Sequence, residues 1–101
     1  MYEEKMEMVP MMETEKAELI ARIIKMEQYL DEILAAKDAE PESFLEHPEI
    51  MRKLHDLIEY YENGQWLRDY ESDERGEVPN GLKRGVLSED AVYNLLAEIG
   101  I

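Results

Sequence analysis

The clearest pattern in the chain is an apolar stripe with helical spacing that follows Thr14. Its members come at spacings of four, three, four and three residues: Leu19, Ile23, Met26, Leu30 and Ile33. Such spacing places the side chains along one face of an α-helix, opposite a charged face. We therefore predict an amphipathic helix from Thr14 to about Asp38, with Thr14 as its N-terminal cap.

A second helix is predicted between Pro48 and Gly64. Pro41 and Pro48 disfavour the helical conformation at the residues before them, so a short turn at residues 43–45 separates the two helices. Proline is favoured at the first position of a helix, and glycine commonly ends one in the left-handed conformation. The two helices predict an antiparallel hairpin. The apolar face of the second helix comprises Met51, Leu54, Leu57, Ile58 and Tyr61.

Shorter elements are predicted after Gly64. The apolar positions Trp66, Leu67 and Tyr70 have the spacing of one or two helical turns. The residues from Pro79 to Gly81 indicate a turn, and residues 82–87 are predicted to be irregular.

A last helix is predicted to begin at Ser88, which is a typical capping residue followed by Glu89 and Asp90. Gly100 ends this helix, and Tyr93 flanks its apolar face. That face comprises Val92, Leu95, Leu96 and Ile99.

Together these elements predict an all-α fold. It consists of a long antiparallel helical hairpin, a Trp-containing short helix, an irregular wrap and a short C-terminal helix. Residues 1–13 contain five methionines and Pro10, and no apolar stripe continues across the proline. We therefore expect a flexible N-terminal segment at 1–13 and a single helical domain at 14–101.

The composition narrows the class of protein. The chain has 25 acidic and 11 basic residues and a formal net charge of -14, and it has no cysteine. Such a chain repels nucleic acid and anionic lipid, so we expect no direct nucleic-acid binding and no membrane partner. Disulfides and thiolate zinc sites are excluded. No apolar run is long enough to span a membrane and no signal peptide is visible, so we expect a cytoplasmic protein.

The apolar stripe of the first helix also indicates that two copies of the chain associate. Two long helices and a short one make a thin core, while additional apolar residues widen the stripe of the first helix. We therefore expect a homodimer, formed by burial of this spare stripe. The stripe comprises Ile20, Ile24, Met26 and Leu34.

The densest acidic run spans residues 69–77. Asp69, Glu71 and Asp73 have the spacing of the first ligands of a calcium loop, but Glu74 stands where that loop requires glycine. In a helix, Asp69 and Asp73 would share a face and offer oxygen ligands to a magnesium or calcium ion. We prefer a structural interpretation, in which these acids pair with neighbouring bases. The bases are Arg68, Arg75, Lys83 and Arg84.

The aromatic residues around Trp66 allow two interpretations. Tryptophan and tyrosine dominate binding surfaces, but they also fill cores. We predict that Trp66 and Tyr93 belong to the core, and that Trp66 fixes the following chain onto the hairpin. No catalytic residue and no cofactor are predicted. The candidate binding residues are Tyr61, Trp66, Asp69, Tyr70, Asp73, Glu74, Lys83 and Arg84.

Two histidines are the remaining candidates for metal chemistry. His55 and Glu59 lie four residues apart on one helical face, with Asp56 adjacent, and a metal would require a further ligand such as Asp69. Because the chain has only two histidines and no cysteine, we interpret both as surface or half-buried side chains and predict no metal site.

The run from Tyr60 to Leu96 resembles a bacterial family, domain-of-unknown-function family 4298. The shared pattern is a tyrosine pair, Gly-x-Trp-Leu-x-Asp-Tyr-Glu-x-Asp-Glu, a turn with proline, and Leu-Lys-Arg-Gly-Val-Leu-Ser-Glu-Asp-x-x-Tyr-x-Leu-Leu. The resemblance is close over the last third of the chain and looser over the preceding helix. It implies a small, mostly helical, cytoplasmic bacterial protein, and it implies no reaction. The matching residues are Tyr60, Tyr61, Gly64, Trp66, Leu67, Asp69, Tyr70, Glu71, Asp73, Glu74, Pro79, Leu82, Lys83, Arg84, Gly85, Val86, Leu87, Ser88, Glu89, Asp90, Tyr93, Leu95 and Leu96.

These observations leave three functions in order of preference. The first is a non-enzymatic protein-binding or regulatory module with a protein partner. The second is an acidic inhibitor that imitates nucleic acid and occupies a basic cleft. The third is a small metal-dependent hydrolase that uses the acids between Asp69 and Glu74.

Overall fold

A computed structural model describes residues 13–88 and 90–100 of the chain. These residues form helices and connecting turns and include no strand, so the predicted all-α class is confirmed. None of the helices in this part of the chain has the length and apolarity needed to cross a membrane. The four α-helices are α1 (Glu13–Ala39), α2 (Pro48–Glu62), α3 (Gln65–Glu74) and α4 (Ala91–Ile99), and short 3-10 helices lie at Phe44–Glu46 and Gly85–Leu87.

Helices α1 and α2 form the predicted antiparallel hairpin. Near the connection between them, the Lys53 ammonium of α2 lies 5.8 Å from the centre of the Tyr29 ring of α1. At the opposite end, Arg22 of α1 and Tyr60 of α2 line the same surface cleft. Residues early in α1 therefore lie beside residues late in α2, as an antiparallel pair requires.

The core forms where the predicted stripes meet. All five stripe residues of α1 are buried, and Phe44 closes the connecting end of the hairpin. The prediction for the apolar face of α2 was wrong at Met51, which is 45% exposed. Tyr61 is half-buried and packs against the core as predicted, and Tyr60 is buried as well. The buried apolar residues are Leu19, Ile23, Met26, Leu30, Ile33, Phe44, Leu54, Leu57, Tyr60, Val78, Val86, Leu87, Val92, Leu95 and Leu96.

Local chemistry sets the boundaries of α2. One carboxylate oxygen of Glu40 accepts a hydrogen bond from the Ser43 hydroxyl at 3.1 Å and lies 2.9 Å from the His47 ring nitrogen Nε2. The hydrogen bond with His47 lowers the pKa of the Glu40 carboxyl. Pro48 opens the helix, and Gly64 follows it with φ 95°, as predicted.

The last helix is capped as the sequence predicts, although its regular part begins later. The Ser88 hydroxyl accepts the backbone N–H of Ala91 at 3.2 Å, and Gly100 ends the helix with φ 92°. Glu89 lies outside the described residues. The prediction that Tyr93 belongs to the core was wrong, because its side chain is 61% exposed.

The spare apolar stripe of α1 is smaller than predicted. Met26 is buried within the protomer and Ile20 is half-buried, which leaves Ile24 (48%) and Leu34 (41%) as its exposed large side chains. A homodimer through this face stays a prediction. The predicted flexibility of the N-terminal segment concerns residues 1–12, which lie outside the described residues. Glu13 already belongs to α1, so Thr14 lies within the helix and its prediction as the N-terminal cap was wrong.

Gly64 provides a test of this boundary between helices. In Gly64→Ala the new Cβ would lie 3.4 Å from Arg68 Nη1, and an L-residue at φ 95° is strained. We expect a loss of about 1–2 kcal/mol of stability, which lowers the melting temperature by roughly 4–16 °C. Gly81→Ala is the matched control, since Gly81 has no positive φ and nothing lies within 4 Å of its Cβ position. Thermal unfolding followed by circular dichroism compares the two, and equal melting temperatures would contradict the prediction.

Candidate functional site

An ordinary surface helix buries apolar side chains and exposes polar ones, but α3 buries two polar side chains and exposes an apolar one. Its two fully buried residues are polar, Asp69 at 1% exposure and Ser72 at 5%, while Leu67 is 50% exposed. The short helix predicted around Trp66, Leu67 and Tyr70 is present as α3, with Leu67 on its exposed side. Trp66 packs against the core and Tyr70 is half-buried.

The Asp69 carboxylate accepts hydrogen bonds from four donors. Arg22 binds both oxygens, with Nε 2.9 Å from Oδ2 and Nη2 2.8 Å from Oδ1. The Tyr60 hydroxyl donates to Oδ2 at 2.8 Å, and the Gln65 side-chain amide donates to Oδ1 at 3.0 Å. The carboxylate thus accepts two bonds on each oxygen, which uses its whole acceptor capacity.

This network fixes the protonation states of its members. Burial, together with the hydrogen bond to Asp69, raises the pKa of the Tyr60 hydroxyl well above its usual value. The hydrogen bond to Asp69 also raises the pKa of the Arg22 guanidinium. Tyr60 therefore stays a neutral donor and Arg22 stays a cation, so the Asp69 charge is compensated inside the protein. The lone pairs of Asp69 are therefore used within the protein, which favours the structural interpretation of this residue over a role as a cation ligand.

A second set of polar contacts joins residues 82–87, which we call the wrap, to the helices. The Trp66 indole Nε1–H donates to the Val86 carbonyl at 2.8 Å, and the Val86 N–H donates to Glu27 Oε1 at 2.7 Å. We call Glu27, Trp66 and Val86 the Val86 clamp. A Cβ at Gly85 would lie 3.3 Å from Glu27 Oε2, so glycine lets the wrap approach α1 closely. The geometry agrees with the prediction that Trp66 fixes the following chain onto the hairpin.

The aromatic side chains around Trp66 form a continuous group. Tyr61 meets the indole edge to face, with ring centroids 5.3 Å apart and planes at 64°. Tyr70 stacks on it at 5.2 Å and 14°. Both arrangements are favourable aromatic geometries. They hold the indole in the orientation that directs its N–H at Val86.

Two of the predicted charge pairs are present, Asp73 with Arg84 and Glu77 with Arg75, whereas Lys83 pairs with acids of α1 instead. Asp73 forms an ion pair with Arg84, whose Nη2 also donates to the Asn80 carbonyl at 3.0 Å. The Lys83 ammonium reaches α1, where it lies 2.6 Å from Asp31 Oδ2 and 3.8 Å from Glu27 Oε2. The hydrogen bond with Asp31 raises the pKa of Lys83. These pairs hold the turn and the wrap against α1 and α3.

Arg75 and Arg68 make shorter-range contacts. Arg75 Nε lies 3.2 Å from Glu77 Oε2, and the hydrogen bond lowers the pKa of the Glu77 carboxyl. Arg68 donates to the Gln65 side chain rather than to an acid.

The eight candidate binding residues do not meet in one cleft. Tyr61, Trp66 and Tyr70 stack together, whereas Asp69 lies beneath them in its own network. Asp73 and Arg84 pair with each other, Lys83 joins α1, and Glu74 is exposed on α3.

Sequence reasoning missed five participants: Arg22, Glu27, Tyr60, Gln65 and Val86. For Glu27 a signal existed, because it stands four residues after Ile23 and three before Leu30, within the apolar stripe. A charged residue at such a position is buried only when it is paired or hydrogen-bonded. The other four carry no comparable signal in their spacing.

Comparison with known proteins places this arrangement within a family. A family model described as "Domain of unknown function (DUF4298)" matches residues 23–99. The chain belongs to DUF4298. The matched region contains the Val86 clamp and, except for Arg22, the Asp69 network, so both lie largely within the DUF4298 domain. No curated protein and no solved structure matches the chain.

Asp69→Asn tests whether the buried carboxylate stabilises the DUF4298 fold. The amide offers one acceptor oxygen to four donors and carries no charge to compensate Arg22, whose side chain is 30% exposed. We expect the free energy of unfolding to fall by about 2–3 kcal/mol. Hydrogen bonds to charged groups contribute this much, and Arg22 keeps some access to water. Denaturant unfolding measures it. Glu98→Gln is the control, because the Lys37–Glu98 ion pair is largely exposed and we expect a change of less than about 1 kcal/mol.

Trp66→Phe and Trp66→Ala separate the hydrogen bond of the indole from its packing. Phenylalanine keeps an aromatic ring but leaves the Val86 carbonyl without its hydrogen-bond donor, so we expect the free energy of unfolding to fall by about 1–2 kcal/mol. Alanine also removes the ring stack, and we expect a loss of about 3–4 kcal/mol. Chemical unfolding followed by circular dichroism measures both variants. If Trp66→Ala unfolds at the wild-type midpoint, the indole does not hold the wrap in place.

Proposed function

We propose that this DUF4298 protein is a non-enzymatic protein-binding module whose outer face of α3 contacts a basic partner. The outer face of α3 comprises Leu67, Tyr70, Glu71 and Glu74. The observation that carries the proposal is the reversed polarity of α3. The helix buries Asp69 and Ser72, while its largest aliphatic side chain, Leu67, is 50% exposed.

The outer face of α3 is a continuous ridge. Leu67, Glu71 and Glu74 stand at positions i, i+4 and i+7 of one helix, so they lie along the same side. Both glutamates are exposed, and neither has an ion-pair partner among residues 13–88 and 90–100. Tyr70 adds a half-buried ring beside the ridge that stacks on Trp66. An apolar side chain supported by a rigid aromatic and bordered by charge is a common arrangement at protein interfaces.

The charge of the surface indicates a basic partner. The acids outnumber the bases by 14, and many bases are already engaged by acids of the same chain. A partner with a positive surface would associate faster than a neutral one, and its affinity would fall as the salt concentration rises. The engaged bases are Arg22, Lys37, Arg52, Lys53, Arg75, Lys83 and Arg84.

The same structure gives little support to the hydrolase alternative. Asp69 accepts four hydrogen bonds and Asp73 is paired with Arg84, so two of the acids in that hypothesis already stabilise the fold. Glu71 and Glu74 remain as exposed carboxylates on α3. These observations favour binding over catalysis for α3.

The proposal is tested with two variants of equally exposed side chains. Leu67→Ser changes the outer face of α3, and Met51→Ser changes α2, where Met51 is 45% exposed. We expect both to fold with a stability change of about 0.5 kcal/mol or less. Each tagged protein is used to capture partners from a lysate of the source organism, and the affinity of the recovered partner is then measured with purified proteins.

We expect Leu67→Ser to weaken that affinity at least about tenfold, because the proposal makes Leu67 the central anchor, and truncation of such a central hot spot costs about 2 kcal/mol or more. Met51→Ser should bind like the wild type, and Glu71→Gln with Glu74→Gln should reduce the salt dependence of binding. Equal affinities for Leu67→Ser and the wild type would refute the proposed surface. Displacement of the protein from its partner by duplex DNA would favour the nucleic-acid-mimicking inhibitor instead.

A further inference from the structure

A group of metal-ligating side chains lies on α2, away from the outer face of α3. His55, Asp56 and Glu59 each offer one ligand atom, and these atoms all lie within 4.8 Å of one another. His55 and Glu59 are exposed, and Asp56 is half-buried. The group differs from the Asp69 network because solvent reaches it.

The ligand atoms of this group are little used by the fold. Neither the His55 nor the Glu59 side chain makes a hydrogen bond or ion pair with another of the described residues, although the backbone carbonyl of Glu59 accepts the N–H of Asn63. Asp56 has a single long contact, 3.8 Å from its Oδ2 to Arg52 Nη1. An imidazole and two carboxylates therefore keep their lone pairs available, in contrast to Asp69, whose oxygens are fully occupied.

The geometry suits one ion. Nitrogen and oxygen ligands bind zinc at roughly 2.0–2.2 Å in a tetrahedral arrangement, so two ligands of one ion lie about 3.3–3.6 Å apart. The three ligand atoms all lie within 4.8 Å of one another, so side-chain rotations that move them by about 1 Å would bring them to a common ion. His55 and Glu59 stand at positions i and i+4 of α2, which places both side chains on one face of a rigid helix.

The surroundings leave space for further ligands. A surface cleft of about 320 Å³ is lined by His55, Glu59, Glu62 and Asn63, together with Ile58. Three protein ligands with an open side are typical of zinc sites that keep a water or an external ligand. The mixed nitrogen and oxygen set favours a zinc-like transition metal over magnesium or calcium, which prefer oxygen alone.

We propose that His55, Asp56 and Glu59 bind one divalent transition metal ion of the zinc type on the surface of α2. This site does not depend on the outer face of α3 or on its partner. It revises the interpretation of His55 as an ordinary surface histidine, because the structure adds the proximity of the three ligand atoms and shows that the His55 and Glu59 side chains make no hydrogen bond or ion pair with the other described residues. Asp69, the further ligand considered from the sequence, is not a member of the group.

The test is calorimetric titration of the purified full chain with zinc chloride. We expect one ion per chain for the wild type and a loss of affinity of more than about tenfold for His55→Ala and for Glu59→Gln. His47→Ala is the matched control, since His47 is the other histidine of the chain and its ring contacts Glu40. It should bind zinc like the wild type.

Two further measurements make the outcome decisive. The thermal unfolding of each apo variant checks that the fold is intact, and substitution with cobalt should broaden backbone resonances around residues 55–59 by paramagnetic relaxation. If the wild type gives no heat with zinc, the site does not exist. If His55→Ala and His47→Ala bind zinc equally, the ion is held by the general acidity of the surface, and the proposal is refuted.

Discussion

The fold depends on the buried carboxylate of Asp69. An isolated charge in a protein interior costs far more than a small domain can tolerate, so such a charge requires partners. Here the partners come from three helices: Arg22 from α1, Tyr60 from α2 and Gln65 from α3 itself. The requirement to satisfy Asp69 therefore fixes the position of α3 against both helices of the hairpin. A hydrophobic contact alone would allow α3 to slide or rotate, whereas four directional hydrogen bonds do not.

The Val86 clamp extends the same principle to the rest of the chain. Glu27 and Val86 are separated by 59 residues, yet the carboxylate of one accepts the backbone N–H of the other. Trp66 binds the carbonyl of the same residue from α3. The wrap has few regular backbone hydrogen bonds of its own, so its position is set by these two contacts together with the burial of Val86 and Leu87. Helix α4 begins a few residues after the wrap, so the position of the wrap also determines where α4 starts.

The sequence predicted the hairpin well because its apolar residues are periodic. The C-terminal end of α1, the hydrogen bond from Ala91 to the Ser88 hydroxyl and the left-handed Gly64 follow from local rules that involve neighbouring residues only. The sequence did not predict the burial of Glu27, Asp69 and Tyr60. The burial of a polar side chain depends on partners that are distant in sequence. Asp69 lies in a run of acids and looks like a surface residue until Arg22, 47 positions away, is known to reach it. The prediction for Tyr93 failed in the opposite direction, since its aromatic ring suggested burial that the packing does not provide.

The way in which Val86 is held has a consequence for sequence divergence. Both polar contacts of the clamp go to main-chain atoms, so they select a position along the chain rather than an amino acid. Exchange of the valine for another apolar residue of similar size leaves both contacts possible. Insertion or deletion of one residue near Gly85 would instead present a different peptide group to Glu27 and Trp66. In related chains we therefore expect length to be constant at this point even where residue identity drifts.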